Sequence, residues 1–140
     1  MFMKKAKSDV DVAVVGGGAA GMLSAAVAAE RGMRVALFEK NAFTGKKLRI
    51  TGKGRCNVTN NCLPAEVLEN VPTNSRFLFS AVNQFSPADT IRLFEKLGVK
   101  LKTERGNRVF PQSDKAEDIV LALRRYMKQA GVQVVFERVT

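Results

Sequence analysis

Residues 12–21, Val-Ala-Val-Val-Gly-Gly-Gly-Ala-Ala-Gly, constrain the fold more than any other stretch of the chain. An apolar, β-branched run enters the spacing Gly16-x-Gly18-x-x-Gly21, and a helix-forming segment follows at once. Strand, glycine turn and helix in that order make a phosphate cradle. Gly16 permits the tight turn, Gly18 lets the backbone approach a pyrophosphate, and Gly21 lets the helix pack close to the strand. The N–H groups at the helix N-terminus have no partner within the helix, and its dipole favours negative charge there.

The spacing alone also fits a purely structural turn, so its surroundings decide. Val12, Val14 and Val15 read as a buried parallel strand. Ala19–Arg31 reads as a helix of small packing residues, with Gly32 as its C-cap. A second apolar run, residues 34–38, ends in Glu39. An acid about 20 residues beyond the glycines, at the tip of the second strand, is where a ribose hydroxyl is bound. A chance surface glutamate is the competing explanation. With every part in place, the segment predicts a dinucleotide site.

The rest of the chain continues the α/β pattern. Residues 1–9 read as a short tail and 10–39 as a βαβ unit. Residues 45–50 suggest a short helix, and 51–61, rich in Gly, Lys, Asn and Thr, an irregular loop able to wrap a polar ligand. Residues 74–84 and 87–97 read as helices, the second with Ser86 as N-cap, Pro87 at its first position and Gly98 closing it. Residues 99–103 and 108–110 read as a small antiparallel pair. Ala116–Ala130 is helical, with Ile119, Val120, Leu123 and Met127 as its apolar stripe, and 132–136 is a further buried strand.

Composition narrows the chemistry. There is no histidine, which excludes Ser-His-Asp and Cys-His catalysis within these residues and removes the commonest metal ligand. Cys56 and Cys62 make neither a CxxC pair nor a zinc set and read as free cytosolic thiols. Any chemistry then falls to an organic cofactor. Residues 12–29 carry no charge, yet four glycines interrupt them and Asp9 and Asp11 precede them. They read as a strand and helix of a cytoplasmic protein rather than a membrane span. The net charge of +10 raises nucleic acid as an alternative partner. The aromatics do not interleave with the basic residues, and no RNA- or DNA-binding signature accompanies them. An anionic dinucleotide beside Lys46, Lys47, Arg49, Lys53 and Arg55 explains the basic loop more simply.

Three blocks carry a resemblance: Gly-Gly-Gly-Ala-Ala-Gly-Met at 16–22 with Glu39-Lys40-Asn41, the run from Gly45 to Asn60 containing Gly-Lys-Gly-Arg-Cys-Asn, and Arg108-Val-Phe-Pro-Gln-Ser-Asp-Lys-Ala116. Together they closely resemble the BaiN-like bacterial flavoproteins, described as NAD(P)/FAD-dependent oxidoreductases. The resemblance implies a Rossmann-like FAD-binding fold, with a parallel sheet of strand order 3-2-1, helices and a small antiparallel β pair. It implies FAD at the glycine turn, with Gly16, Gly18, Ala19, Ala20 and Gly21 on the pyrophosphate. Glu39 would hold the adenosine ribose, with Lys40 adjacent, and Gly45, Lys46 and Lys47 would approach the diphosphate or ribityl. Gly52, Gly54, Arg55, Cys56 and Asn57 would lie near the flavin, and Val139 would offer backbone contacts to adenine. Lys46, Lys47 and Arg55 would neutralise the diphosphate or a reduced flavin. Cys56 either lies close to the isoalloxazine or fills a tight loop; no catalytic acid or base is identified.

Family members are longer, with an inserted substrate domain and a C-terminal return. Residues 10–140 are accordingly expected to be a partial FAD/NAD(P)-binding domain with little turnover alone. NAD(P)H is the expected electron donor in an intact enzyme acting on a small organic substrate. The first strand is expected to be left as an edge, to be paired with another copy or covered by another element of this chain. A nucleotide-binding module without catalysis remains the other alternative.

Overall fold

The computed structural model describes residues 9–140. All of the expected tail except residue 9 lies outside the described residues. Two compact units divide the chain, one made of residues up to 46 together with 123–140, the other of residues 47–122.

The first unit contains a parallel sheet of β1 (Val12–Val15), β2 (Val35–Phe38) and β6 (Gln133–Val135), in the order β1-β2-β6. This is the expected 3-2-1 arrangement. Helix α1 (Ala19–Glu30) connects the first two strands, and its small side chains let it lie close to the sheet. Met22, Ala25, Ala26 and Ala29 are buried, as are Val35, Ala36 and Leu37 of the central strand. Gly32, at φ +88°, ends the helix in the left-handed conformation that a Cβ disfavours.

The outer strands are wetter than their composition suggests. Among the described residues β1 is an edge, as expected: Val12 and Val14 are half-buried, and Val15 is 67% exposed. β6 is likewise half-buried, and Phe136 lies beyond its end, exposed. The exposure of both strands has one cause. A strand with a neighbour on one side only presents its other side to solvent.

The second unit holds an antiparallel sheet in the order β3-β5-β4, formed by β3 (Thr59–Asn60), β4 (Leu101–Glu104) and β5 (Arg108–Pro111). The expected pair is thus a three-stranded sheet, since Thr59 faces Val109 and Asn60 faces Arg108. Residues 46–50 form turns rather than a helix, and residues 51–54 a 3-10 turn. Residues 74–84 divide into a 3-10 turn and α3 (Phe79–Gln84), preceded by α2 (Pro64–Glu69). Helix α4 (Pro87–Lys96) carries the expected cap: the Asp89 N–H donates to Ser86 Oγ at 3.2 Å, and the Ser86 N–H donates to the Asp89 carboxylate at 2.8 Å. The core joins Phe94, Val99, Val109 and Phe110 with Ile119 and Val120 from the first turns of α5 (Ala116–Ala130). The later turns of α5 bury Leu123 and Met127 in the first unit, where Tyr126 Oη donates to Glu30 of α1 at 2.5 Å. Among the described residues, no helix is long and apolar enough to cross a membrane.

Candidate functional site

The glycine turn runs from the end of β1 into α1. The Gly16 N–H donates to Phe38 O at 2.8 Å, which seats the turn against the tip of β2. Gly16 has φ +101°, a conformation costly for any residue with a Cβ. At Gly21 a Cβ would overlap the Gly16 carbonyl oxygen, so glycine is what allows the close helix–strand approach. Gly18 differs. Its φ is −84°, and a Cβ there would meet no atom within 4 Å. Neither strain nor protein crowding requires glycine at this position; open space in front of it is what glycine preserves.

No side chain caps α1 at Gly18, and no acid stands in its first turn. The first intrahelical bond of the turn is donated by Met22 to Gly18 O. Gly18, Ala19 and Ala20 are exposed around this end. An uncapped N-terminus of a twelve-residue helix, reached by bare backbone, suits an anion.

Glu39 follows β2 and is only 7% exposed. Its Oε2 accepts the Gly17 N–H at 2.7 Å, while Oε1 accepts the Asn41 N–H at 2.7 Å and the Asn41 side-chain amide at 2.6 Å. These hydrogen bonds, the Asn41 backbone first, hold the carboxyl below its ordinary range despite burial, so it is ionised at neutral pH. A carboxylate has about four acceptor positions, so one is left on Oε2 for an incoming hydroxyl. Glu39 is therefore no chance surface acid. Gly17 belongs with it: a Cβ there would come within 2.8 Å of Thr44 Cγ2 and 3.0 Å of Glu39 Oε2. Sequence reasoning passed over Gly17 and Asn41, although Gly17 sits inside the fingerprint and Asn41 two residues from the acid. Gly45 completes the turn, its N–H donating to Gly17 O at 2.7 Å. Lys40 and Lys46 are exposed in the same unit, as is Val139, which follows β6.

In the second unit, residues 52–57 form another glycine-containing turn, with Lys47 exposed ahead of it. Gly52, Lys53, Gly54 and Cys56 all have positive φ, at 56°, 58°, 84° and 61°. Arg55 lies over the Phe110 ring, 4.0 Å from its centroid, and its guanidinium donates to Glu104 at 2.9 Å and to Asp114 at 3.2 Å. These carboxylates raise its pKa, Glu104 most. The Asn57 amide, oriented so that its nitrogen donates, reaches Thr59 O at 3.0 Å and Val109 O at 3.2 Å. Cys56 is buried, and burial pushes its thiol up, keeping it protonated at neutral pH. Glu104, Asp114 and Phe110 are partners the sequence did not reveal. Among the described residues, no group of His, Cys, Asp and Glu is arranged to hold a metal.

Residues 10–139 match the family described as the HI0933-like protein Rossmann domain. The 3-dehydro-bile acid delta(4,6)-reductase of Clostridium scindens is 30% identical over 125 residues, covering 88% of this chain and 30% of that protein. The ribosomal RNA dihydrouridine synthase of Escherichia coli is 36% identical over 110 residues, covering 79% of this chain and 27% of its own length. The chain thus spans less than a third of these relatives. In fold it is similar to the 3-ketosteroid-delta4-(5alpha)-dehydrogenase of Rhodococcus jostii RHA1, with a TM-score of 0.64, 15% identity, and coverage of 90% of this chain and 37% of that one. THI4 of Thermovibrio ammonificans gives a TM-score of 0.59 at 20% identity, covering 90% of this chain and 38% of that one. With its order-matched parallel sheet and a family match over nearly all its residues, the chain belongs to the HI0933-like Rossmann-domain family.

Proposed function

We propose that residues 10–140 are the FAD-binding part of a flavin oxidoreductase that moves hydride between NAD(P)H and an organic substrate. The observation that carries this reading is the combination at the glycine turn. An uncapped helix N-terminus opens onto unfilled space at Gly18, beside a buried, ionised carboxylate with one acceptor position left. Pyrophosphate and ribose hydroxyl are the two groups such a turn accepts. Gly16, Gly18, Ala19, Ala20 and Gly21 bind the pyrophosphate, and Glu39 orients the ribose. Lys40, Lys46 and Lys47 offset phosphate charge, Gly45 shapes the approach, and Val139 meets the adenine. Gly52, Gly54, Arg55, Cys56 and Asn57 belong to the flavin end. When bound, FAD supplies two-electron acceptance and delivery. An absorption spectrum tests this: FAD added to the purified chain should stay with it through desalting and give a flavin spectrum. Loss of all flavin on desalting would count against it.

The charge of +10 and the name of the Escherichia coli relative favour a second reading for the substrate. Here the compound reduced is a base in RNA rather than a small organic molecule. Binding of a ribosomal RNA fragment that weakens steeply with salt, and survives a substitution at Gly18, would support it. Salt-independent or undetectable RNA binding would favour the small substrate.

A further inference from the structure

We propose that Arg55, Glu104, Asp114 and Lys102 form a clamp that fixes the strained 52–57 turn, with Arg55 acting as a positioning residue for the flavin end of the cofactor. The second half of that statement rests on the FAD reading above; the first does not.

The turn cannot hold itself in this form. Lys53 and Cys56 occupy left-handed conformations that non-glycine residues avoid, and such strain persists only where the surroundings impose it. Backbone bonds across it run from the Arg55 N–H to Gly52 O, at 3.3 Å, and from the Cys56 N–H to Thr51 O, at 3.0 Å. Beside the Asn57 amide, the restraint from outside the turn comes through the Arg55 side chain. Its Nη1 reaches both Glu104 oxygens, at 2.9 and 3.1 Å, and Asp114 Oδ1 at 3.2 Å, while the guanidinium carbon stacks on Phe110. Lys102 Nζ closes the cluster, 2.7 Å from Asp114 Oδ2 and 3.3 Å from Glu104 Oε1. Gly52 backs against the same ring: a Cβ there would lie 3.0 Å from Phe110 Cε1 and 3.0 Å from the Asn57 N.

Two features separate this cluster from ordinary surface ion pairs. Its four side chains are 28–44% exposed, sheltered enough that solvent screens them less than an exposed pair. It also balances two cations against two carboxylates. Arg55 therefore spends its charge inside the protein, and what it delivers to the turn is geometry. The clamp joins two stretches far apart in sequence, the Gly-Lys-Gly-Arg-Cys-Asn segment and the Phe-Pro-Gln-Ser-Asp segment after it.

The test uses the purified chain carrying Glu104→Gln together with Asp114→Asn, with Glu95→Gln on α4 as a charge-matched control. Hydrogen exchange of the amides of residues 51–57 is measured without FAD, and FAD affinity and the bound-flavin spectrum are measured with it. We expect exchange across 51–57 to quicken about tenfold or more and FAD affinity to fall about tenfold, with a displaced flavin absorption band. The control should match the unmodified chain. Arg55→Lys, which keeps the charge but loses the planar stack, should fall between them; it also serves if the double variant fails to fold. Unchanged exchange in both variants would overturn the clamp. Faster exchange with unaltered affinity and spectrum would overturn the positioning role. Faster exchange in a chain that takes up no FAD in any form would uphold the clamp and refute the flavin reading instead.

Discussion

The two glycine turns solve different physical problems. At residues 16–21 glycine creates room: the helix touches the strand at Gly21, and nothing stands in front of Gly18. One buried carboxylate, Glu39, holds that turn through the Gly17 N–H and is itself held by Asn41. At residues 52–57 the backbone is forced into left-handed conformations even at Lys53 and Cys56, and half-exposed charges hold it. The first turn is built around space and the second around restraint, so they should fail in different ways when altered.

The largest effect is expected at Gly21. Gly21→Ala puts a methyl into the Gly16 carbonyl, which neither helix nor strand can evade cheaply. A loss of about 3 kcal/mol in urea unfolding is expected. A near-neutral result would mean that the helix does not sit this close to the strand.

Glu39→Ala comes next. It strands the Gly17 and Asn41 N–H groups and should cost about 2 kcal/mol in the same measurement. Its pH dependence gives a sharper signature. Because the folded protein holds this carboxyl below its ordinary pKa, its stabilisation is complete above about pH 4.3, the unfolded value, and is lost as pH falls through the lower folded pKa. The stability gap between the unmodified chain and Glu39→Gln should therefore be constant near neutrality and shrink in acid. A gap that widens in acid would show that Glu39 is not the anchor of this turn.

The smallest effect belongs to the second turn. Lys53→Gly relieves a left-handed lysine and should stabilise by roughly 0.5 kcal/mol, the strain relieved exceeding the added unfolded-state freedom. Destabilisation would mean that the lysine side chain contributes more than its backbone costs.

The same contrast explains what the sequence disclosed. The first turn was legible because its determinants are local: four glycines within six residues, and an acid at the end of the next strand. Helix α5 was legible because Ile119, Val120, Leu123 and Met127 repeat at helical spacing. The second turn was recognisable as a motif but not as a structure. Arg55 finds Glu104 and Asp114 at separations of 49 and 59 residues, and no local pattern encodes that pairing. The helix expected over residues 45–50 gives way to turns, with Gly45 drawn to the first glycine turn by its bond to Gly17. The edge position of β1 was foreseen, but the burial read from the valines of β1 and β6 was overstated, because valine content reports strand preference, whereas exposure depends on how many neighbours a strand has.

The central claim, that the space at Gly18 exists for a pyrophosphate, is tested most directly by Gly18→Val. At φ −84°, where a Cβ meets nothing within 4 Å, the backbone tolerates a side chain, so urea unfolding should shift by no more than about 1 kcal/mol, the loss of a favourable N-cap residue. FAD retention through desalting, read from the flavin absorption band, should be lost. A Gly18→Val chain that folds as before and retains FAD as well as the unmodified chain would contradict the claim.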